Sequence, residues 1–327
     1  MESLRACSLA LPFTVNMELS TFMSSIIPTA DWYFTEAGNP RGYIQPGTLK
    51  ELWFHTGTAC NLACPFCLEG SAPGDTRLDR ITLEDIRPYI DEALTLGVEQ
   101  FSFTGGEPFV VKDIVRILEY AASRRPCLVL TNGTDALLNR ASAISTLSTT
   151  AYPVSFRVSI DYVDREKHDQ GRGEGNFDLA LQGIQFLHEK GFKVSLARQS
   201  DQYENSASVD EAFRQLLKDK GITDEINIVS FPDFLTPNSH ADVPEITEDC
   251  MTRYQTEDDR SAYMCAFSKM IVKEKGSMKI LPCTLVDDDP RYGMTGTLKD
   301  SLRDKVILAH HRCYSCFSLG ASCSETN

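Results

Sequence analysis

The chain has 327 residues, 42% hydrophobic and 24% charged, enough apolar material for a sizeable core in one large domain, alone or with a small companion. Its 32 Lys and Arg against 46 Asp and Glu leave a formal net charge of -14, which opposes attraction to a phosphate backbone and excludes nucleic acid as the expected partner. No apolar run approaches the roughly 18 residues of a membrane span, and the stretch 6–15, broken by Pro12, lacks the features of a secretory signal.

After a weakly patterned lead over 1–48, strand-like runs occur at 51–56, 100–103, 128–131, 154–160, 193–197 and 226–230. Helical patterns separate them at 82–96, 111–123, 134–147, 177–190 and 209–220. This alternation predicts an α/β fold with a parallel sheet. Thr82 and Ser208 suit helix N-caps, and Gly97, Gly191 and Gly221 stand where a helix end favours a left-handed residue. Six units are too few for a complete eight-unit barrel, so an open doubly wound sheet or a partial barrel is expected, with the site on the loops after the strands. From Pro232 the chain turns to loops rich in Pro, Asp and Thr. The segments 269–273 and 277–281 then alternate in character around Glu274-Lys275-Gly276, which predicts a hairpin, and a helix over 298–309 leads to the last cysteines. These breaks divide the chain into an extension over 1–48, a large domain over 49–231 and a small module over 232–327.

Eleven cysteines cluster at Cys-x3-Cys-x2-Cys and Cys-x2-Cys spacings, which suits metal binding in a reducing compartment and places the protein in the cytoplasm. Cys60, Cys64 and Cys67 come directly after the first strand. Three thiolates on one tight loop can hold three irons of a [4Fe-4S] cube and leave the fourth open to a small-molecule ligand. Structural zinc, the alternative, wants four protein ligands. The second informative segment, Gly105-Gly106-Glu107-Pro108, ends the second strand. Its glycines allow close backbone approach, and their carbonyls with the Glu107 carboxylate can accept hydrogen bonds from a ligand ammonium.

Together, Cys60-x3-Cys64-x2-Cys67 and Gly105-Gly106-Glu107-Pro108 on successive strands resemble the radical S-adenosylmethionine (radical SAM) superfamily. The resemblance implies a partial (β/α)6 TIM-type barrel and a cluster that binds S-adenosylmethionine at its open iron. It also implies reductive cleavage of that cofactor to a 5′-deoxyadenosyl radical, which takes hydrogen from a substrate. Phe66 fills the place of the family's adenine-packing aromatic. Thr131, Asn132 and Ser159 resemble its strand-end polar positions facing the ribose and methionyl groups. The segment 160–172 resembles the stretch after this strand in the family's peptide-modifying and cofactor-forming branch. Arg172, and Arg198 after the fifth strand, are of the type that pairs with a carboxylate. His55 suits packing or a hydrogen bond to the cysteine loop, and His310-His311 a polar helix end.

Cys265, Cys283, Cys313 and Cys316 flank and succeed the hairpin and resemble the shortened auxiliary-cluster module called twitch, a relative of the SPASM extension. They imply an auxiliary [4Fe-4S] cluster, with structural zinc as the alternative and Cys323 as a replacement ligand. Cys7, Cys127 and Cys250 are spare, Cys127 as a core strand residue. The expected protein is a radical SAM oxidoreductase acting on a small molecule or peptide in a pocket of strand ends and residues 231–249, supplied with electrons by a flavodoxin or ferredoxin. The lead segment is short for a leader-recognition domain, which favours a small substrate or a separate recognition protein. The alternative is a non-catalytic iron-sulfur or zinc-binding protein on the same scaffold.

Overall fold

The structure is a computed structural model that describes residues 30–200, 204–320 and Ser324. Its strands are β1 (Tyr43–Ile44), β2 (Glu51–His55), β3 (Gln100–Thr104), β4 (Cys127–Thr131), β5 (Val154–Ser159), β6 (Val194–Gln199), β7 (Ile228–Phe231), β8 (Ser268–Glu274), β9 (Ser277–Leu281) and β10 (Val306–Ile307). Strands β2 to β7 lie side by side in chain order, every neighbouring pair parallel. With the helices between them they form the partial barrel of an α/β fold. β8 then adds in parallel to the free edge of β2, Glu51 opposite Ser268, and β9 closes the sheet antiparallel to β8.

Strands β2 to β4 are largely buried on both faces, and so they read as mostly apolar runs. Leu52, Phe54, Phe101 and Phe103 face the helices, where Phe54 stacks on Phe103 with ring centroids 5.4 Å apart. Trp53, Leu128, Met270 and Val272 form a second cluster on the other face. The expected caps hold at Thr82, whose side chain accepts from the Asp85 N–H in a capping box, and Gly97 comes after the helix with a φ of 88°. The hairpin turn falls at Lys275 and Gly276, both at positive φ, as a two-residue turn between right-twisted strands requires.

Four expectations change. The helix expected over 134–147 is split into Asp135–Leu138, Ala141–Ile144 and a 3-10 turn, Ser145–Thr149. Ser145, Thr146, Ser148 and Thr149 each turn a hydroxyl back onto a local carbonyl, which competes with a regular helix. The helix between β6 and β7 starts at Ser206, because Asn205 rather than Ser208 is its cap. The helix Arg165–Arg172 is not marked by the sequence pattern: all eight of its positions are polar or Gly, and Asp164 caps it. The helix expected over 298–309 stops at Ser301, since Val306 and Ile307 are drawn into antiparallel pairing with β1. Among the described residues, no helix is long and apolar enough to cross a membrane.

Candidate active site

The strand ends of β3 to β7 and the cysteine loop surround a cavity of about 240 Å³. Cys60, Cys64, Phe66 and Cys67 form one wall; Gly105, Gly106, Thr131, Asn132 and Ser159 lie across from them; Arg172, Arg198 and residues 231–234 complete the rim. Every expected residue of this site except Glu107 therefore reaches a single cavity. All three cysteines of the loop are free thiols. Burial pushes Cys60 up to about 12 and raises Cys64 and Cys67 as well, so metal binding here must displace protons.

The two glycines do more than line the cavity. A methyl on Gly106 would stand 2.4 Å from the Ala59 carbonyl oxygen, and one on Gly105, at a φ of 134°, would stand 2.8 Å from that of Gly57. Their lack of side chains lets the end of β3 pack directly on the chain entering the cysteine loop, with Gly106 and Glu107 N–H groups donating to Gly57 and Ala59. Glu107 is fully buried behind the wall. Its carboxylate accepts from Phe109 N–H at 3.0 Å, Thr131 Oγ1 at 2.9 Å and Asn132 N–H at 2.8 Å. Three of about four lone-pair sites are thus taken inside the protein. Despite these bonds, burial pushes the Glu107 carboxyl up to about 7.

Asn132 reaches back to the cysteine loop: its Nδ2 donates to Asn61 Oδ1 at 2.9 Å and lies 3.9 Å from the Cys60 sulfur. Thr131 serves Glu107 and also accepts from the Gly133 N–H. Arg172 is held by Asp161 through two bonds, at 2.6 and 3.0 Å, and its guanidinium lies 5.7 Å from the Phe66 ring centre. This pairing engages part of the Arg172 guanidinium, and its remaining donors border the cavity. Arg198 is likewise paired, with Asp210 and Glu204.

Sequence reasoning missed a buried charge network beside the loop. His55 accepts from the Gly57 N–H at Nδ1, which leaves Nε2 to donate to Glu69 at 2.9 Å. Arg77 joins Glu69 to Asp287, at 3.3 and 2.8 Å. Ligand atoms of His55, Glu69 and Asp287 lie within 4.8 Å of one another, but the Arg77 guanidinium already supplies the cation of this set. Burial and the neighbouring Glu69 push Asp287 up to about 7. No spacing in the sequence marks residues so far apart as neighbours; only the pairing of β8 with β2 brings them together.

The four C-terminal cysteines also converge. Cys265, Cys283, Cys313 and Cys316 line one small apolar cavity, and burial pushes Cys265 to about 12 and Cys313 to about 11. The Tyr263 hydroxyl on the same wall is buried with no hydrogen-bond partner, an orphan donor near Cys265, Cys313 and Cys316. Cys127 is buried in β4 as expected, and Cys250 is disulfide-bonded. Cys7 and Cys323 lie outside the described residues.

Residues 54–198 match the Radical SAM superfamily model. Over that stretch the chain is similar to the radical SAM superfamily. It is 30% identical over 134 residues to mycofactocin maturase MftC of Mycolicibacterium smegmatis, which covers 41% of this chain and 33% of that protein. It is 33% identical over 140 residues to the antilisterial bacteriocin subtilosin biosynthesis protein AlbA of Bacillus subtilis, covering 42% and 30%. The match thus spans about a third of the length of these curated relatives. Among solved structures, Streptococcus suis SuiB bound to precursor peptide SuiA aligns with a TM-score of 0.53 at 17% identity, covering 79% of this chain and 65% of that one. Native anSMEcpe with bound AdoMet aligns with a TM-score of 0.55 at 16% identity, covering 78% and 81%. These likenesses support the partial-barrel fold.

Proposed function

We propose that the chain is a radical SAM oxidoreductase whose barrel, 49–231, holds a [4Fe-4S] cluster on Cys60, Cys64 and Cys67, and whose module, 232–327, holds an auxiliary [4Fe-4S] cluster on Cys265, Cys283, Cys313 and Cys316. The observation that carries the reading is the convergence of three free thiols and the Gly105–Gly106 backbone on one cavity. When bound, the cluster and S-adenosylmethionine supply reductive formation of a 5′-deoxyadenosyl radical that abstracts hydrogen from the substrate.

The chain's own residues then have positional tasks. Gly105 and Gly106 present backbone to the methionyl end, and Glu107, buried behind them, braces that wall. Phe66 packs on the adenine, while Ser159, Asn132 and the unused donors of Arg172 face the ribose and carboxylate. Thr131 and Asn132 hold Glu107 from behind, and Asn132 fixes Asn61 beside Cys60. At the second site the orphan Tyr263 hydroxyl is placed to donate to a sulfur. The names of the relatives concern a maturase and a bacteriocin biosynthesis protein, and one aligned structure holds a precursor peptide, which supports a peptide among the small-molecule and peptide substrates considered. A flavodoxin or ferredoxin is the proposed electron donor and the cytoplasm the proposed location.

The test is anaerobic reconstitution with iron and sulfide, then reduction by dithionite in the presence of S-adenosylmethionine. 5′-Deoxyadenosine should form in the unmodified protein and not in Cys64→Ala. Equal, background-level product in both would reject catalysis in favour of a binding protein.

A further inference from the structure

Arg312 is the residue immediately before Cys313, and it is 1% exposed. Its guanidinium has five N–H donors. All five find acceptors: Nε donates to the Phe234 carbonyl at 2.9 Å; Nη1 to the Leu285 carbonyl at 3.0 Å and Asp288 Oδ1 at 3.3 Å; Nη2 to the Leu235 carbonyl at 3.1 Å and the Leu68 carbonyl at 3.5 Å. These acceptors belong to three separate segments: the cysteine loop, the chain that leaves β7 and the chain just after Cys283. Four of the five are main-chain carbonyls, so the guanidinium fixes backbone in each segment.

The segment leaving β7 needs such fixing. Leu235 and Asn238 have φ of 62° and 59°, a left-handed conformation that strains a residue with a side chain. Both are held by their surroundings. Arg312 grips the carbonyl of Leu235, Asp233 accepts its N–H at 2.8 Å, and Asp288 accepts the Asn238 N–H at 3.0 Å. Asp288 in turn is fixed by Arg312 and by His310 Nε2 at 3.2 Å. Between the two strained positions, Pro237 rests on Gly70 of the cysteine loop, where a methyl would approach its ring to 3.1 Å. The same segment supplies Phe231 and Phe234 to the cavity wall, their ring centres 6.1 Å apart.

We propose that Arg312 is a positioning residue: from its place beside Cys313 it holds the strained turn 234–238 against the cavity, and so makes the shape of that wall depend on the C-terminal cysteine segment. A strained turn persists only while its surroundings over-determine it. Ordering of Cys313 by a bound metal tightens the wall through Arg312, and loss of the metal relaxes it. That link to metal rests on the proposed reading of Cys313 as a ligand; the clamp itself does not.

Amide hydrogen exchange on the full chain tests both parts, using anaerobically purified protein as isolated and after removal of its metal by a chelator. In metal-free protein, Arg312→Lys keeps the charge but cannot reach five acceptors. Peptides covering 66–71, 232–239 and 284–289 should then exchange at least about tenfold faster together, while the helix Leu83–Thr95 is unchanged and Arg253→Lys, on an exposed pair, has no effect. Acceleration confined to 310–316 would overturn the clamp. If Arg312→Lys loosens the whole chain, Asp288→Asn decides: faster exchange at 236–239 without change at 66–71 supports the clamp, and no change at 236–239 overturns it. Unmodified protein should protect 232–239 better with metal than without. Equal protection, with Arg312→Lys still loosening the three segments, would reject Cys313 as a ligand and leave the clamp standing.

Discussion

Gly171→Ala separates the role of Phe66 in cofactor binding from any role in stability. Gly171 lies inside the helix Arg165–Arg172, and the methyl of an alanine there would stand 2.5 Å from Cε1 of Phe66. Ordinary contact begins at 3.4 Å, so the ring must retreat by about 0.9 Å. Phe66 is half-buried at the cavity and can swing, with the Arg172 guanidinium over its ring. The helix itself prefers alanine to glycine by about 1 kcal/mol, which offsets the cost of moving the ring. Net stability should therefore change by less than about 1 kcal/mol, a Tm shift within roughly 3 °C for a chain of this size. An aromatic contact with adenine is worth about 0.5–1.5 kcal/mol, so displacing it should weaken S-adenosylmethionine binding roughly 2- to 12-fold. Anaerobic equilibrium dialysis of the reconstituted protein with labelled S-adenosylmethionine gives the affinity, and circular dichroism the Tm. Unchanged affinity at an unchanged Tm would refute the adenine contact. A fall in Tm beyond about 8 °C would refute the premise that the ring can yield.

Gly106→Ala should behave oppositely, because its methyl meets the backbone oxygens of Ala59 and Thr58 at 2.4 and 2.7 Å, which cannot swing aside; a loss of about 2–3 kcal/mol in denaturant unfolding is expected. Replacing Cys313 and Cys316 together by Ser should lower iron from about eight to about four per chain, and iron already near four in the unmodified protein, with zinc present, would reject the auxiliary cluster. Glu107 titrates in the folded state near 7, above its ordinary value of 4.5, so the folded protein holds this proton more tightly than the unfolded chain. Its stabilising contribution is complete below about pH 4.5 and is lost as pH rises through about 7, on the order of 3 kcal/mol in all. Glu107→Gln should flatten that part of the stability profile of the metal-free protein, as tracked by urea midpoints between about pH 4 and pH 8.

The barrel was legible because its elements rest on local regularities. Period and punctuation marked β2 to β7, and Thr82 and Gly97 delimit their helix by side-chain and backbone chemistry that acts over a few residues. Where local chemistry was ambiguous, the reading failed: the serine and threonine hydroxyls of 145–149 broke a helix that apolar spacing alone would continue. Long-range pairing was invisible. Nothing near Val306 announces that β1 will recruit it, and nothing near Arg172 announces Asp161 as its partner across the turn after β5. Glu107 shows the same limit at the site. Its motif pointed to a ligand, whereas most of its hydrogen-bonding capacity is spent on Phe109, Thr131 and Asn132.

The parallel addition of β8 to β2 bears on the order in which the molecule assembles. The strand that leads into Cys60 has one edge on β3 and the other on β8, and Glu51 pairs with Ser268, far along the chain. Closing so long a loop is entropically slow, and contacts of this separation form late. Until residues 268–271 dock, the edge of β2 is open and Asp287 is absent from the Glu69–Arg77 network beside the loop. A nascent chain therefore completes the surroundings of its first three cysteines only after the segment carrying Cys265 and Cys283 has emerged, which puts the closing of that loop's environment in a late step of folding.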